Sequence, residues 1–186
     1  MESLNKKTES VRGDNGYIYP LVKGEDLCCV PTCLEMIFKS MGYNVVLSEL
    51  VSQFIIITPE KAETNIDIGV HITETLFEKI FRKYNLPLKD TYTAINTIME
   101  DFLIDEISQE LKNKSHILCG YCYGTLFKDK RYLNVGHFSI IIGVKNNKII
   151  LLNPGPNNFG INEVNDYELY RAILKKKAGL WVLKSI

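Results

Sequence analysis

A cysteine, a histidine and an asparagine can together break an amide bond: the sulfur attacks, the imidazole moves the proton, and the amide fixes the imidazole. The 186-residue chain offers such a set in Cys28-Cys29, His137 and Asn153. The two cysteines fall at the predicted start of a helix in the stretch Leu27 to Gly42, LCCVPTCLEMIFKSMG. A thiol there feels the positive end of the helix dipole, so a pKa below the ordinary ~8.5 is expected. His137 opens an apolar run directly after Gly136, and Asn153 ends the next run directly before Pro154-Gly155. If these runs are antiparallel neighbours, the Asn153 side-chain oxygen can accept the His137 ring N–H. Cys29, His137 and Asn153 then make a complete set of nucleophile, base and orienter, with Cys28 the alternative nucleophile one residue away.

The elements that must position this set follow from periodicity. Pro31 suits a first helical turn and Gly42 the position just past a helix end, while Leu34, Ile37, Phe38 and Met41 form one apolar stripe between them. This predicts a buried central helix of about three turns. Before it, residues 1–16 read as a mobile tail, and Tyr17 to Val22 as a short edge strand containing Pro20. After it, Ser48 is placed to cap a short helix carrying Leu50, Val51 and Phe54, and the segment from Thr58 to Gly69 reads as a loop. Leu76, Ile80, Phe81 and Tyr84 predict a helix from Thr73, stopped by Asn85 and Pro87; Ile98, Phe102, Leu103, Ile107 and Leu111 predict another from Asn96 or Thr97. Beyond Asn113 the pattern becomes strand-like, with runs at His116–Tyr123, His137–Val144 and Lys148–Leu152 and a hairpin turn at Lys145-Asn146-Asn147-Lys148. A helix at Tyr167–Leu174 and a strand at Leu180–Leu183 finish the chain. Helices first and an antiparallel sheet after predict the α+β class, with residues 17–186 as one domain.

Charge and cysteine usage narrow the partners. Lys and Arg total 22 against 22 Asp and Glu, so nothing favours a phosphate backbone or an anionic membrane surface. No run approaches the ~18 apolar residues of a membrane span, and the polar start lacks a secretory run. A cytoplasmic location is expected. Five cysteines, an odd number, fit free thiols better than a disulfide framework. Other candidate groups have plainer readings. Cys33, one turn into the helix, reads as a small core residue. Cys119-x-x-Cys122 suggests zinc, but residues three apart on a strand point to opposite faces, so no metal is expected. His71 and His116 read as surface or packing residues, and Lys175-Lys176-Lys177 as a solvated helix end.

The run CCVPTCLEMIFKSMG resembles the nucleophile motif of papain-like peptidases that cleave double-glycine leaders from bacteriocins. VGHFSIIIGVKNNKIILLNPG resembles that family's second block, a Gly-His-Phe strand followed by a strand ending in Asp-Pro or Asn-Pro. HILCGYCYG sits where the family has the strand before its histidine, and DYELYRAILKKKAGLWVL fits its terminal helix and strand, so the resemblance spans roughly residues 19–186.

The resemblance implies a papain-like fold, with a helical part bearing the cysteine and a sheet part bearing the histidine and asparagine. It places the nucleophile on Cys29, with Pro31, Cys33 and Leu34 at the family's Pro, Cys and Leu; the base falls on His137 and the third member on Asn153. The family's oxyanion glutamine falls on Lys23, making that residue the candidate donor. What it implies in function is a thiol hydrolase that attacks a peptide or related amide in a peptide or protein substrate through a thioester, with no cofactor. Acyl transfer by the same triad, or a papain-like peptide-binding module with weak or no catalysis, are the alternatives. Nothing in the sequence sets the oligomeric state.

Overall fold

A computed structural model of the chain describes residues 9–63, 68–72 and 75–186. Strands β1 (Ser10–Arg12) and β2 (Ile18–Pro20) form an antiparallel hairpin that leads into helix α1 (Cys29–Ser40). A short helix α2 (Leu47–Val51) and a second hairpin, β3 (Ile55–Ile57) with β4 (Gly69–His71), precede helix α3 (Leu76–Lys83). Strand β5 (Leu88–Ala94), helix α4 (Leu103–Lys112), strand β6 (His116–Cys122) and helix α5 (Tyr123–Leu126) follow. The chain ends with β7 (Gly136–Lys145), β8 (Lys148–Asn153), β9 (Gly160–Asn165), α6 (Asp166–Lys176) and β10 (Gly179–Ser185). Six strands make one antiparallel sheet in the order β5-β10-β6-β7-β8-β9. Helices and antiparallel sheet together give the α+β class expected from the sequence.

The sheet is covered on both faces, which explains why β6, HILCGYC, is buried at every position. Leu118, Ile140, Ile142, Leu152 and Leu183 pack with residues of α1 and α3 on one side. Ile117, Cys119, Tyr121, Ile141, Ile149 and Leu151 pack with residues of α4 and α6 on the other. Helix α1 follows the predicted stripe: Leu34, Ile37 and Phe38 are fully buried, Pro31 lies in the first turn, and Gly42 just past the end has φ +88°. Asn146 and Asn147 take φ of +50° and +58°, the pair of left-handed residues that a two-residue hairpin turn between β7 and β8 requires.

Several expectations are corrected. Ser48 does not cap its helix: the Val46 carbonyl accepts the Glu49 and Leu50 N–H groups and starts α2 one residue before Ser48. The helix expected from Asn96 or Thr97 begins only at Leu103, because the Ile95 N–H donates to the Ala178 carbonyl and holds the chain to the sheet edge beforehand. The helix expected from Thr73 runs from Leu76, and residues 73 and 74 lie outside the described residues. The loop expected between Thr58 and Gly69 closes a hairpin, β3 to β4, although its residues 64–67 lie outside the described part.

The mobile tail expected over residues 1–16 is corrected from Ser10, where β1 begins, while residues 1–8 lie outside the described part. A β-bulge between Ile141 and Gly143 in β7 frees backbone groups, and the N-terminal segment takes them: the Asp14 N–H donates to the Ile142 carbonyl, and the Asp14 carboxylate accepts the Val144 N–H at 2.9 Å. A Cβ on Gly143 would sit 2.8 Å from that carboxylate, so the docking needs glycine there. Asn15, nearly fully buried, donates to Tyr19 Oη at 2.7 Å and to the Ser115 carbonyl at 2.8 Å. Tyr19 Oη in turn lies 2.7 Å from His116 Nδ1, and the Tyr17 ring covers the imidazole at 4.2 Å. His116 is thus a buried packing residue whose ring, among the described residues, is hydrogen-bonded through Nδ1 to the hairpin and has no partner at Nε2.

Replacing Tyr19 by Phe leaves the buried imidazole with neither nitrogen bonded. Urea unfolding of Tyr19→Phe is expected to show a loss of about 1–3 kcal/mol, against less than about 0.5 kcal/mol for Ile18→Ala at the neighbouring half-exposed position.

Candidate active site

Cys29 is the first residue of α1, with Cys28 at the cap position. The Cys28 carbonyl accepts both the Thr32 N–H at 2.9 Å and the Thr32 hydroxyl at 2.7 Å, which fixes the first turn and the direction in which Cys29 leaves it. Cys29 is half-buried as a residue, and its sulfur sits against the backbone N–H groups of Phe138, Val30 and Cys29 itself, Phe138 being one residue after His137. Those donors favour the thiolate, but the surrounding protein disfavours it more, and the Cys29 thiol is pushed up to about 11. The expectation of a thiol made acidic by the helix start is therefore overturned. Desolvation outweighs a dipole whose influence is confined to the first turn.

Cys28 differs from its neighbour. Its thiol is also raised, first by burial and then by the carboxylates of Glu25 and Asp26, and it gains no N–H donors that would offset them. Cys33 is fully buried, its thiol is driven well up by burial, and its sulfur lies 3.8 Å from the Phe138 carbonyl, in keeping with a core role. All five cysteines are unpaired thiols. Among the described residues no group of three His, Cys, Asp or Glu side chains could hold a metal.

His137 and Asn153 meet as the strand pattern predicted. Asn153 ends β8 and its Oδ1 lies 2.8 Å from His137 Nε2, both side chains being buried. The same Oδ1 accepts the Gly155 N–H at 2.9 Å, and Asn153 Nδ2 donates to the Asn157 carbonyl at 3.2 Å. The Gly155 contact identifies this atom as the oxygen, so His137 Nε2 must carry the proton and Nδ1 is left with a lone pair. Burial holds the imidazole down at about 4, with the Asn153 hydrogen bond pulling the other way. At neutral pH both groups are uncharged. No hydrogen bond joins the Cys29 sulfur to His137 in this structure; what the fold brings together is the His137–Asn153 pair and, beside the next backbone N–H, the Cys29 thiol.

Lys23 is exposed, on the segment between β2 and α1. The Gly24 N–H donates to the Pro154 carbonyl at 2.8 Å, and a Cβ on Gly155 would lie 3.6 Å from Lys23 Cγ, so the lysine stem runs beside the turn that follows Asn153. Residues that sequence reasoning did not single out complete the surroundings. Tyr121, directly opposite His137 on β6, and Tyr123 both present ring faces or edges to the imidazole, with centroids at 5.6 and 5.3 Å. Their spacing of two in HILCGYCYG was the available signal, but it is equally the pattern of any core strand.

No family model and no curated protein matches this sequence, whereas solved structures match its fold. A protein described as a C39-like peptidase from Bacillus anthracis superposes with a TM-score of 0.63 over 96% of this chain and 98% of its own, at 14% identity. The peptidase domain of Streptococcus ComA, a bi-functional ABC transporter of a quorum-sensing pathway, gives 0.52 over 90% and 99%, at 19% identity. A double-glycine motif protease from an AMS/PCAT transporter, solved with its leader peptide, gives 0.52 over 98% and 96%, at 13% identity. The chain has the mixed helix and antiparallel sheet fold of these papain-like peptidases, as the sequence motifs implied.

The two neutral imidazoles set a pH dependence of stability. His137 is held at about 4 and His116 at about 3 in the folded chain, both below the ordinary 6.5. From pH 6.5 down to about 4 the unfolded chain therefore binds more protons than the folded one, and stability falls on acidification by up to about 1.4 kcal/mol per pH unit for each imidazole. Urea midpoints measured at pH 7, 6 and 5 are expected to drop steadily, with a shallower slope in His137→Gln.

Proposed function

We propose that this chain is a thiol hydrolase of peptide bonds in which Cys29 attacks, His137 moves the protons and Asn153 orients His137. The observation that carries the reading is the His137 Nε2 to Asn153 Oδ1 contact at 2.8 Å, with its polarity fixed by Gly155, at the strand start where Cys29 also lies. Cys29 is favoured over Cys28 because backbone N–H groups face its sulfur, whereas carboxylates oppose a thiolate at Cys28.

His137 Nδ1 takes the Cys29 proton as the sulfur adds to the substrate carbonyl. Ion-pair formation is left to that moment, since burial favours the neutral pair until a substrate's carbonyl carbon accepts the sulfur's electrons. The tetrahedral oxyanion is met by the Cys29 backbone N–H, which faces the sulfur at the helix start, and by the Lys23 ammonium in place of a glutamine amide. Collapse of that intermediate expels the amine, which takes the proton from His137, and leaves a thioester on Cys29. Water, deprotonated by His137, then adds to the thioester; release of the acid returns the thiol. With an amine or alcohol in place of water the same steps give acyl transfer.

The leader peptide bound to the transporter protease of the same fold supports a peptide as the substrate class. Five unpaired thiols suit a reducing compartment such as the cytoplasm. Among the described residues no helix is long and apolar enough to cross a membrane. A peptide-binding module that has lost catalysis is the second reading, favoured by the missing sulfur–imidazole hydrogen bond and by the exposed lysine at the oxyanion position.

Alkylation by iodoacetamide, mapped by mass spectrometry, separates the two. Under the hydrolase reading Cys29 reacts faster than the other four thiols between pH 6 and 8, and His137→Ala slows it by roughly 100-fold, the scale of a lost general base. A Cys29 that titrates as a solitary thiol, indifferent to His137, would leave the binding module as the better account.

A further inference from the structure

The steps above make no use of Tyr123, yet its contacts run through the site. His137 is flanked by two tyrosine rings nearly perpendicular to it, Tyr121 at 72° and Tyr123 at 84°. Tyr121 is pinned within the sheet by its hydroxyl, 2.8 Å from Ser139 Oγ. Tyr123 is only 5% exposed; it packs on Phe127 at 4.7 Å and Tyr132 at 5.5 Å, and its hydroxyl accepts Asn158 Nδ2 at 2.7 Å. Asn158 belongs to the loop that leaves Asn153. That loop is braced by Asn153 Nδ2 donating to the Asn157 carbonyl and by Asn162 Nδ2 donating to the Asn158 carbonyl at 2.7 Å. Asn158 has φ +50°, a left-handed conformation that asparagine tolerates better than most residues. One loop is therefore tied to the imidazole through Asn153 and to the ring beside the imidazole through Asn158.

We propose that Tyr123 and Asn158 are positioning residues: their hydrogen bond clasps the loop of residues 154–159 to the aromatic box, keeping the His137–Asn153 pair dry and His137 Nδ1 free for the thiol. This rests on the thiol-site reading for its consequence, though not for its geometry. A hydrogen bond shielded from water is stronger than one that competes with solvent, and a box with one wall loosened lets solvent reach Nε2–H. Tyr123→Phe removes the acceptor. Asn158→Gly removes the donor without strain at the left-handed backbone, and Asn158→Asp keeps a partner, because the Tyr123 O–H can then donate to the carboxylate.

The test is NMR of ring-15N-labelled protein, following the His137 Nε2–H exchange rate with water and the pH at which the ring titrates. Tyr123→Phe and Asn158→Gly are each expected to speed that exchange by about two- to tenfold, the worth of one modest hydrogen bond, and to move the titration toward that of a solvated imidazole. Amides of Leu118 and Leu151 in the sheet should exchange as before, and Asn158→Asp should restore slow Nε2–H exchange. Unchanged exchange and titration in both variants would overturn the clasp, as would equal acceleration at His137 and throughout the sheet, which marks a general loss of stability. The thiol-site reading fails separately, by Cys29 alkylation that ignores His137→Ala, and the NMR result still decides the clasp in that case.

Discussion

Asn153 Oδ1 accepts two hydrogen bonds, one from the His137 ring and one from the Gly155 backbone, and the candidate site is arranged around that sharing. The backbone bond orients the amide, the amide then selects the imidazole tautomer, and the tautomer decides which ring nitrogen can receive a proton. None of this requires a charge. An aspartate at the same position would stabilise an imidazolium, whereas the neutral amide leaves burial to dominate, and burial holds the ring uncharged. The strand pairing supplies the geometry: β7 and β8 are adjacent in the sheet, with Ile140 opposite Leu152, so the start of one and the end of the other share an edge.

The same dryness acts on Cys29. A thiol that begins a helix is usually discussed in terms of the helix dipole, but the dipole is a fraction of a charge and its effect is worth up to about 2 kcal/mol in a partly buried setting. Removing a thiolate from water costs more, so burial raises the thiol even with the backbone N–H groups of Phe138, Val30 and Cys29 itself favouring the anion. An imidazolium beside it would change the balance, because an ion pair has no net charge and loses less hydration than its two members taken singly.

Much of this was legible in the sequence. The stripe Leu34, Ile37, Phe38 with Pro31 and Gly42 at its ends specified α1, and the Asn146-Asn147 turn specified the hairpin that joins the histidine strand to the asparagine strand. What escaped has physical causes. Strand β9, GINEVN, lies at a sheet edge with only Gly160 and Val164 buried, so it carries no apolar alternation. Strand β5, LKDTYTA, is polar between its buried first residue, Leu88, and Ala94, apart from Tyr92, whose ring meets Trp181 at 4.4 Å, and pairing with β10 makes it a strand. The N-terminal hairpin owes its order to a bulge in β7 and a buried His116, both far away in sequence. The raised Cys29 thiol escapes the sequence because a helix start can be read locally, while the burial that opposes it is a property of the whole fold.

Lys23 shows how a fold can keep its frame and alter its chemistry. The Gly24 to Pro154 hydrogen bond fixes the backbone beside the turn after Asn153, so position 23 faces this region whatever side chain it carries. A glutamine amide there would be a short, neutral donor held by few rotatable bonds. An ammonium on a four-carbon stem is long, strongly hydrated and exposed, and ordering it costs side-chain entropy. It compensates with a full charge, which attracts an oxyanion more strongly once water has been displaced. The backbone N–H of Cys29, rigid at the head of α1, does not depend on that displacement. Of the two donors proposed for an oxyanion, the backbone group is therefore held by the helix itself, whereas the lysine depends on a bound peptide to exclude solvent around it.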